Sequence, residues 1–219
     1  MVNNVIQFCM QNPLRVVLTG GPCAGKSKAL PEITEWLKTQ GRHPVVIPEA
    51  ATLVFGAAGR PDYSNKPRLI DFQKTIIMVQ KQMEELFLNT LCLPNSVLIA
   101  DRGLLDNKTF VYPEDWQHLL QVLNLNENQI GLSRYDAVIH LVTAADGAPA
   151  HYKLEGFRNE TPEKAIRQDK RLRAVYAGHP IHKIIDNSTN FEGKMLRLKA
   201  AFTKILNRFP LEPVPTIEF

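Results

Sequence analysis

The residues whose spacing most clearly suits chemistry are Gly20-Gly21-Pro22-Cys23-Ala24-Gly25-Lys26-Ser27, which fit G-x-x-x-x-G-K-[ST]. In such a loop the backbone N–H groups surround a polyphosphate, and the start of the following helix adds partial positive charge. Lys26 would reach the β- and γ-phosphates, and Ser27 would hold Mg²⁺. The pattern is short, so its surroundings decide. Arg15-Val16-Val17-Leu18-Thr19 reads as a buried parallel strand ahead of it, and a helical pattern follows. A glycine turn that matched by chance would not need that context.

Other candidate groups stand directly after apolar runs. Asp101 follows Val97-Leu98-Ile99-Ala100, a Walker B-like pattern. Its carboxylate could bind Mg²⁺ opposite Ser27 or take the proton of an attacking hydroxyl; the bland alternative is a turn aspartate. Arg102 would then face a cleft and grip an anionic or hydroxyl-bearing acceptor, or else make a structural salt bridge. Glu49 follows Val45-Val46-Ile47 and could be a general base, an acceptor-binding carboxylate, or a helix N-terminal charge ahead of Ala50-Ala51. From His151 to Val175 there are seven Lys/Arg and four Asp/Glu. Arg167, Lys170 and Arg171 share one helical face by spacing. A mobile basic lid would place Arg158 and Arg167 against developing phosphate charge; a solvated charged helix is the alternative.

The elements that must position these groups alternate. Strands are expected at 15–19, 45–47, 97–100, 137–142 and 181–185. Helices are expected from Lys26 to Gln40 with a kink at Pro31, over 67–92, over 113–123, from Thr161 (as cap) to about Tyr176, and from Phe191 to Phe209. In the long helix the apolar positions Leu69, Phe72, Ile76, Val79, Met83, Leu86 and Leu91 predict a stripe packed on the sheet. Strands alternating with helices predict an α/β fold with a parallel sheet covered on both faces. Ligands in such a sheet lie at the carboxyl ends of the strands, where Glu49, Asp101, Asp146 and Asp186 all stand.

Composition sets the outer bounds. The chain has 219 residues, 44% of them hydrophobic, which suits one globular α/β domain. The formal charge of +4 suits anionic ligands but is too diffuse to imply nucleic acid. Cys9, Cys23 and Cys92 make no disulfide framework, so a reducing, cytoplasmic setting is expected. No run approaches the length of a membrane span, and Met1–Asn12 lacks the pattern of a signal peptide.

Taken together, several blocks resemble the NadR/TRP-translocation-defect-protein type of P-loop domain, within the nucleoside- and nucleotide-kinase-like group. They are Leu18-Thr19-Gly20-Gly21-Pro22 with the loop, Pro48-Glu49-Ala50-Ala51, Asp101-Arg102-Gly103-Leu104-Leu105-Asp106, and Arg134 to Gly147. Further ones are Glu160-Thr161-Pro162-Glu163, Gly178-His179-Pro180, and Ile185-Asp186-Asn187-Ser188 with Phe191-Glu192. The resemblance implies a three-layer P-loop NTPase fold with a five-stranded, mostly parallel sheet and a kinase-like helical lid at about 145–176. Length predicts one domain over 1–209, and the three prolines at 210–219 read as an extended tail or the start of a linker. The resemblance also implies an ATP or GTP site at Gly20–Ser27 and base contacts near Asp186 and Asn187. In related deoxynucleoside kinases a Glu after strand two acts as base and a Phe-Gln pair on the long helix reads the nucleoside; Glu49 and Phe72-Gln73 hold comparable places. The closest branch, the TRP translocation defect proteins, is known as GTP-binding and usually carries a second, CYTH domain. That domain would begin near Pro213, so its functions are not carried over.

Two functions follow as expectations. One is an enzyme that moves a phosphoryl group from an NTP–Mg²⁺ to a small hydroxylated acceptor. The other is a nucleotide-dependent module that recruits a protein or an anionic lipid. A domain that binds nucleotide without turnover is a third, weaker expectation.

Overall fold

The computed structural model describes residues 13–62, 64–153 and 160–213. Five strands form one parallel sheet: β1 (Leu14–Gly20), β2 (His43–Ile47), β3 (Ser96–Asp101), β4 (Ala137–Leu141) and β5 (His182–Ile185). Their spatial order is β2-β3-β1-β4-β5. The helices are α1 (Lys26–Thr39), α2 (Ala50–Ala58), α3 (Lys66–Thr90), α4 (Pro113–Val122), α5 (Pro162–Val175) and α6 (Phe191–Leu206).

The sheet splits the core because strand side chains alternate. Val16 and Leu18 of β1 face Ile33 and Leu37 of α1 with Leu198 and Phe202 of α6. Val17 points the other way, into a cluster with Ile77, Trp116, Leu119 and Tyr176. Helix starts follow local chemistry. Thr161 accepts from Lys164 N–H ahead of Pro162, and Asn190 accepts from Gly193 N–H. Pro31 lies inside α1, which nevertheless runs unbroken from Lys26 to Thr39.

Three differences from the sequence expectation matter. First, α2 was not foreseen: its sequence, AATLVFGAA, is apolar without a helical period. It forms because Ala50 and Val54 bury against Ile76 of α3. Second, short 3₁₀ segments at Leu104–Phe110 and Pro149–His151 and a π turn at Asn128–Leu132 occupy stretches that carry no periodic signal. Third, the buried face of α3 takes in only part of its apolar stripe: Ile76 is buried and Phe72, Val79 and Met83 are partly buried. Leu86 and Leu91 are exposed, while Gln73, Gln80 and Glu84 are buried beside Ile76 and Ile77. A helix that hides polar side chains and shows leucines is serving a polar network inside.

The described part of the tail is tied down. Asn95 and Glu212 exchange two hydrogen bonds at 3.0 and 2.8 Å, and Arg42 donates to the carbonyl of Phe209. At the turn after β3, Gly103 leaves no room for a side chain. A Cβ there would lie 2.2 Å from the Tyr176 hydroxyl and 3.0 Å from Val17. Gly103→Ala is expected to cost about 1–3 kcal/mol, read as a lowered midpoint in thermal or urea unfolding.

Candidate phosphate and acceptor site

The loop from Gly20 to Ser27 joins β1 to α1, as its spacing predicts. Positive φ at Gly25 and Cys23 lets the chain curl. Its outward-facing groups are held by the segments that follow β3 and β4 and by two of the flanking helices. The Gly20 carbonyl accepts from Arg102 Nη1 at 3.2 Å, and Gly21 N–H donates to Asp169 at 3.0 Å. The Pro22 carbonyl accepts from the Thr143 hydroxyl, and the Cys23 carbonyl from Ala144 N–H at 3.2 Å. The Ala24 carbonyl accepts from Lys194 at 3.1 Å. A loop whose carbonyls are pinned outward is organised before any anion arrives, which lowers the ordering cost of binding.

Two charged pairs stand beside the loop because β3 pairs with β1 on one side and with β2 on the other. Lys26 Nζ lies 3.2 Å from Asp101 Oδ1, with Lys26 only 5% exposed. Glu49, just after β2, receives Arg102 Nε at 2.5 Å and the Thr52 hydroxyl at 2.9 Å. Arg102 also faces Asp106 at 3.5 Å, and Thr19 donates to that carboxylate at 2.5 Å. Burial alone would raise Glu49, but the Arg102 guanidinium, Lys26 and the two hydrogen bonds outweigh it and hold the carboxyl down to about 2. Burial pushes Asp106 up against the pull of Arg102, and the acids around Arg102 hold its guanidinium charged. Glu49 is also the residue ahead of α2, so it is both a helix-start charge and one half of a buried pair.

Arg102 has φ 78°, unusual for a residue with a side chain. Its N–H donates to Leu18 at 3.1 Å and its carbonyl accepts from Gln80 at 2.8 Å. Behind Gln80 the network continues. Gln80 donates to Glu84 at 3.1 Å, and Glu84 receives Tyr135 at 2.8 Å and pairs with Arg134. Asn107 links this chain to Gln73 at 2.5 Å. The polar buried face of α3 thus holds the turn that aims Arg102.

Next to the loop opens a cavity of about 1030 Å³. Pro22 and Ser27 border it, Glu49 and Arg102 form its junction with the loop, and Phe55, Phe72 and Phe110 supply aromatic walls. Phe55 stacks on Phe72 at 5.3 Å, and the Arg102 guanidinium lies 5.8 Å from the Phe110 ring centre. Gln73, Gln80 and Asn107 give it amide groups.

Helix α5 closes another side, with Lys164, Arg167, Gln168 and Arg171 lining the cavity. Lys170, expected on the same face as Arg167 and Arg171, is exposed and not part of the lining. Arg158 lies outside the described residues. The other face of α5 is anchored. Asp169, fully buried, accepts from Gly21 N–H and Thr143 N–H, meets His140 Nε2 at 2.9 Å, and pairs with Arg173 at 3.1 Å. A Cβ on Gly21 would sit 2.7 Å from this carboxylate, so the loop needs glycine there for close approach.

Asp186 and Asn187 stay apart from the cavity. Asp186 is exposed and bound to Ser188 and Arg197. The Asn187 amide donates to the carbonyls of Thr143 and Asp146 at 2.7 and 2.6 Å. Asp146 itself is also outward and exposed. Of the four strand-end carboxylates, only Glu49 and Asp101 therefore gather at the loop.

A divalent cation would have to use Ser27 and Asp101. Among the described residues there is no cluster of three or more His, Cys, Asp or Glu suited to a metal. Ser27 borders the cavity, and Asp101 stands at the loop with Lys26 Nζ 3.2 Å from its Oδ1, so a cation there would share that carboxylate with Lys26. A hydroxyl, a carboxylate and the ligand's own phosphate oxygens form the all-oxygen set that Mg²⁺ prefers.

Sequence reading missed Asp169, Lys194, Asn107, Gln80 and Phe55 as parts of this arrangement. Gln80, within a predicted apolar helix, was the one with a usable signal.

Comparison with known proteins agrees with the fold. Residues 15–194 match the AAA_28 family model, described as an AAA domain. None of the curated proteins compared matches the sequence. Among solved structures, deoxyadenosine kinase from M. mycoides with bound dCTP superposes with a TM-score of 0.58 at 18% identity, covering 87% of this chain and 100% of that one. A second structure of that kinase, with products dCMP and a flexible dCDP bound, gives 0.57 at 18% identity, covering 88% and 100%. The NadR protein in complex with NR gives 0.67 at 15% identity, covering 95% of this chain and 55% of that one. Among the described residues no helix is long and apolar enough to cross a membrane. The match over residues 15–194 shows that the chain belongs to the AAA_28 family of AAA domains, and its fold is that of the P-loop nucleoside kinases.

Proposed function

We propose that the protein transfers the γ-phosphoryl group of a purine nucleoside triphosphate, ATP or GTP, to a hydroxyl of a small nucleoside-like acceptor. The observation that carries this is the position of the Glu49–Arg102 pair, between the phosphate loop and the part of the cavity with aromatic and amide walls. A module that only sensed nucleotide would not need that extension of the cavity beyond the loop. The similar folds titled as deoxyadenosine kinase and as NadR with NR support an acceptor of nucleoside type.

In this reading the loop N–H groups and Lys26 hold the triphosphate. Ser27 and Asp101 would hold Mg²⁺, which would supply charge neutralisation to the phosphates. The acceptor's ring lies among Phe55, Phe72 and Phe110 and is read by the Gln73 and Asn107 amides. Its hydroxyl lies at Glu49. As the new O–P bond forms and the bond to the β-phosphate oxygen breaks, the hydroxyl proton passes to Glu49 and the nucleoside diphosphate leaves. A carboxyl held near 2 is a weak base, which suits a loose transition state in which the proton moves late. Arg102, Arg167 and Arg171 face the charge that spreads over the transferring group.

A thermal-shift screen tests the reading. The unfolding midpoint is expected to rise with Mg-ATP or Mg-GTP, and to rise further with the fitting nucleoside, because both bind only the folded chain. No rise with any nucleotide would contradict it.

A further inference from the structure

Lys194 on α6 is 3% exposed, directly beneath the phosphate loop. Its ammonium donates three hydrogen bonds, to the Ala24 carbonyl at 3.1 Å, the Val142 carbonyl at 2.8 Å and Asn187 Oδ1 at 2.7 Å. All three partners are neutral, and Lys194 is in none of the ion pairs among the described residues. The cations held against the loop have carboxylates: buried Lys26 has Asp101, and the partly buried Arg102 and Arg173 have Glu49 and Asp169. A buried charge without a counter-ion is costly, and its location shows what could offset that cost. Ala24 is one peptide of the loop wall, so Lys194 stands on the outer side of the wall that a polyphosphate would touch from within.

We propose that Lys194 is a positioning residue of the phosphate site: it pins the Ala24 carbonyl outward, and the polyphosphate bound inside the loop is the counter-ion its ammonium lacks. This rests on the loop being a nucleotide site. Burial lowers Lys194 to about 8; Asp169 on α5 and Asp186 after β5 raise it, and Arg197 on its own helix lowers it further. An anion in the loop favours the charged form. The sign is then fixed. Nucleotide binding takes up a proton at Lys194 when the pH lies at or above about 8, and affinity falls as pH rises through that window, by up to about tenfold per unit.

The test is calorimetry of Mg-ATP and Mg-GTP binding from pH 7 to pH 9.5, in buffers of different ionisation heat. The wild-type chain is expected to show proton uptake growing above about pH 8. Lys194→Gln, which keeps a hydrogen-bond donor but no charge, should bind roughly tenfold more weakly at pH 7 and lose the uptake. A tie that was only structural would be largely kept by Gln and lost in Lys194→Met. Uptake that persists in Lys194→Gln, or is absent in the wild type, overturns the proposal. If Lys194→Gln does not fold, Asn187→Asp, which sets a carboxylate against the Lys194 ammonium, should abolish the uptake, and uptake unchanged in Asn187→Asp overturns the proposal. Lys26→Ala separates the two layers. Unchanged binding in that variant overturns the phosphate-site reading, whereas lost binding there with a neutral Lys194→Gln overturns only this proposal.

Discussion

Lys26→Ala is expected to weaken Mg-ATP or Mg-GTP binding by about 10²–10³-fold, or roughly 3–4 kcal/mol. Two effects add. The loop loses the side chain that reaches the β- and γ-phosphates. In addition, the Lys26–Asp101 pair at 3.2 Å is broken, which leaves the Asp101 carboxylate without its protein partner near the bound anion. Lys26→Met removes the same charge while keeping most of the volume, so the two variants should lose similar affinity. Calorimetry at fixed Mg²⁺ and salt measures it. Affinity within threefold of wild type in both variants would remove Lys26 from the phosphate site.

Glu49→Gln is expected to lower turnover by ~10²–10⁴-fold with nucleotide affinity kept, because Glu49 borders the acceptor cavity and contacts Arg102, not the loop. The same variant carries a stability prediction whose sign follows from linkage. The folded carboxyl lies near 2, below its ordinary value of 4.5, so the unfolded chain binds the proton first. This contribution to stability is fully present above pH 4.5 and is lost as the pH falls from there towards 2. Acid unfolding of Glu49→Gln should lack that part of the pH dependence. Wild-type turnover in the variant would exclude Glu49 from the chemistry.

Much of this was legible in residues near one another in sequence. Gly20–Ser27, the strand before it and the Thr161-Pro162 helix start were local patterns, and each formed as read. What was not legible was which strand ends meet. The order β2-β3-β1-β4-β5 puts β3 beside β1 and β2 beside β3. It brings Glu49 onto Arg102, whereas Asp146, after the other neighbour of β1, turns toward Arg173 and Asp186 turns toward Arg197. No periodicity encodes that choice. Asp169 was hidden because it sits among Arg167, Lys170, Arg171 and Arg173, where a lone carboxylate reads as part of a solvated charged face. In the fold it points away from the cavity, into the loop. Lys194 was hidden likewise, in a helix with several lysines. The polar positions Gln73, Gln80 and Glu84 broke the apolar pattern of α3, and those breaks mark where the helix supports the site.

Transfer to an acceptor, as proposed, differs from binding or hydrolysis alone in its product. The direct measurement is product analysis by mass spectrometry after incubation with Mg-ATP or Mg-GTP and a panel of nucleosides, including nicotinamide riboside and the common purine and pyrimidine nucleosides. The expected result is one phosphorylated nucleoside formed in step with nucleoside diphosphate, and lost in Glu49→Gln. Nucleoside diphosphate released with inorganic phosphate and no phosphorylated acceptor, or no turnover at all, would contradict the account.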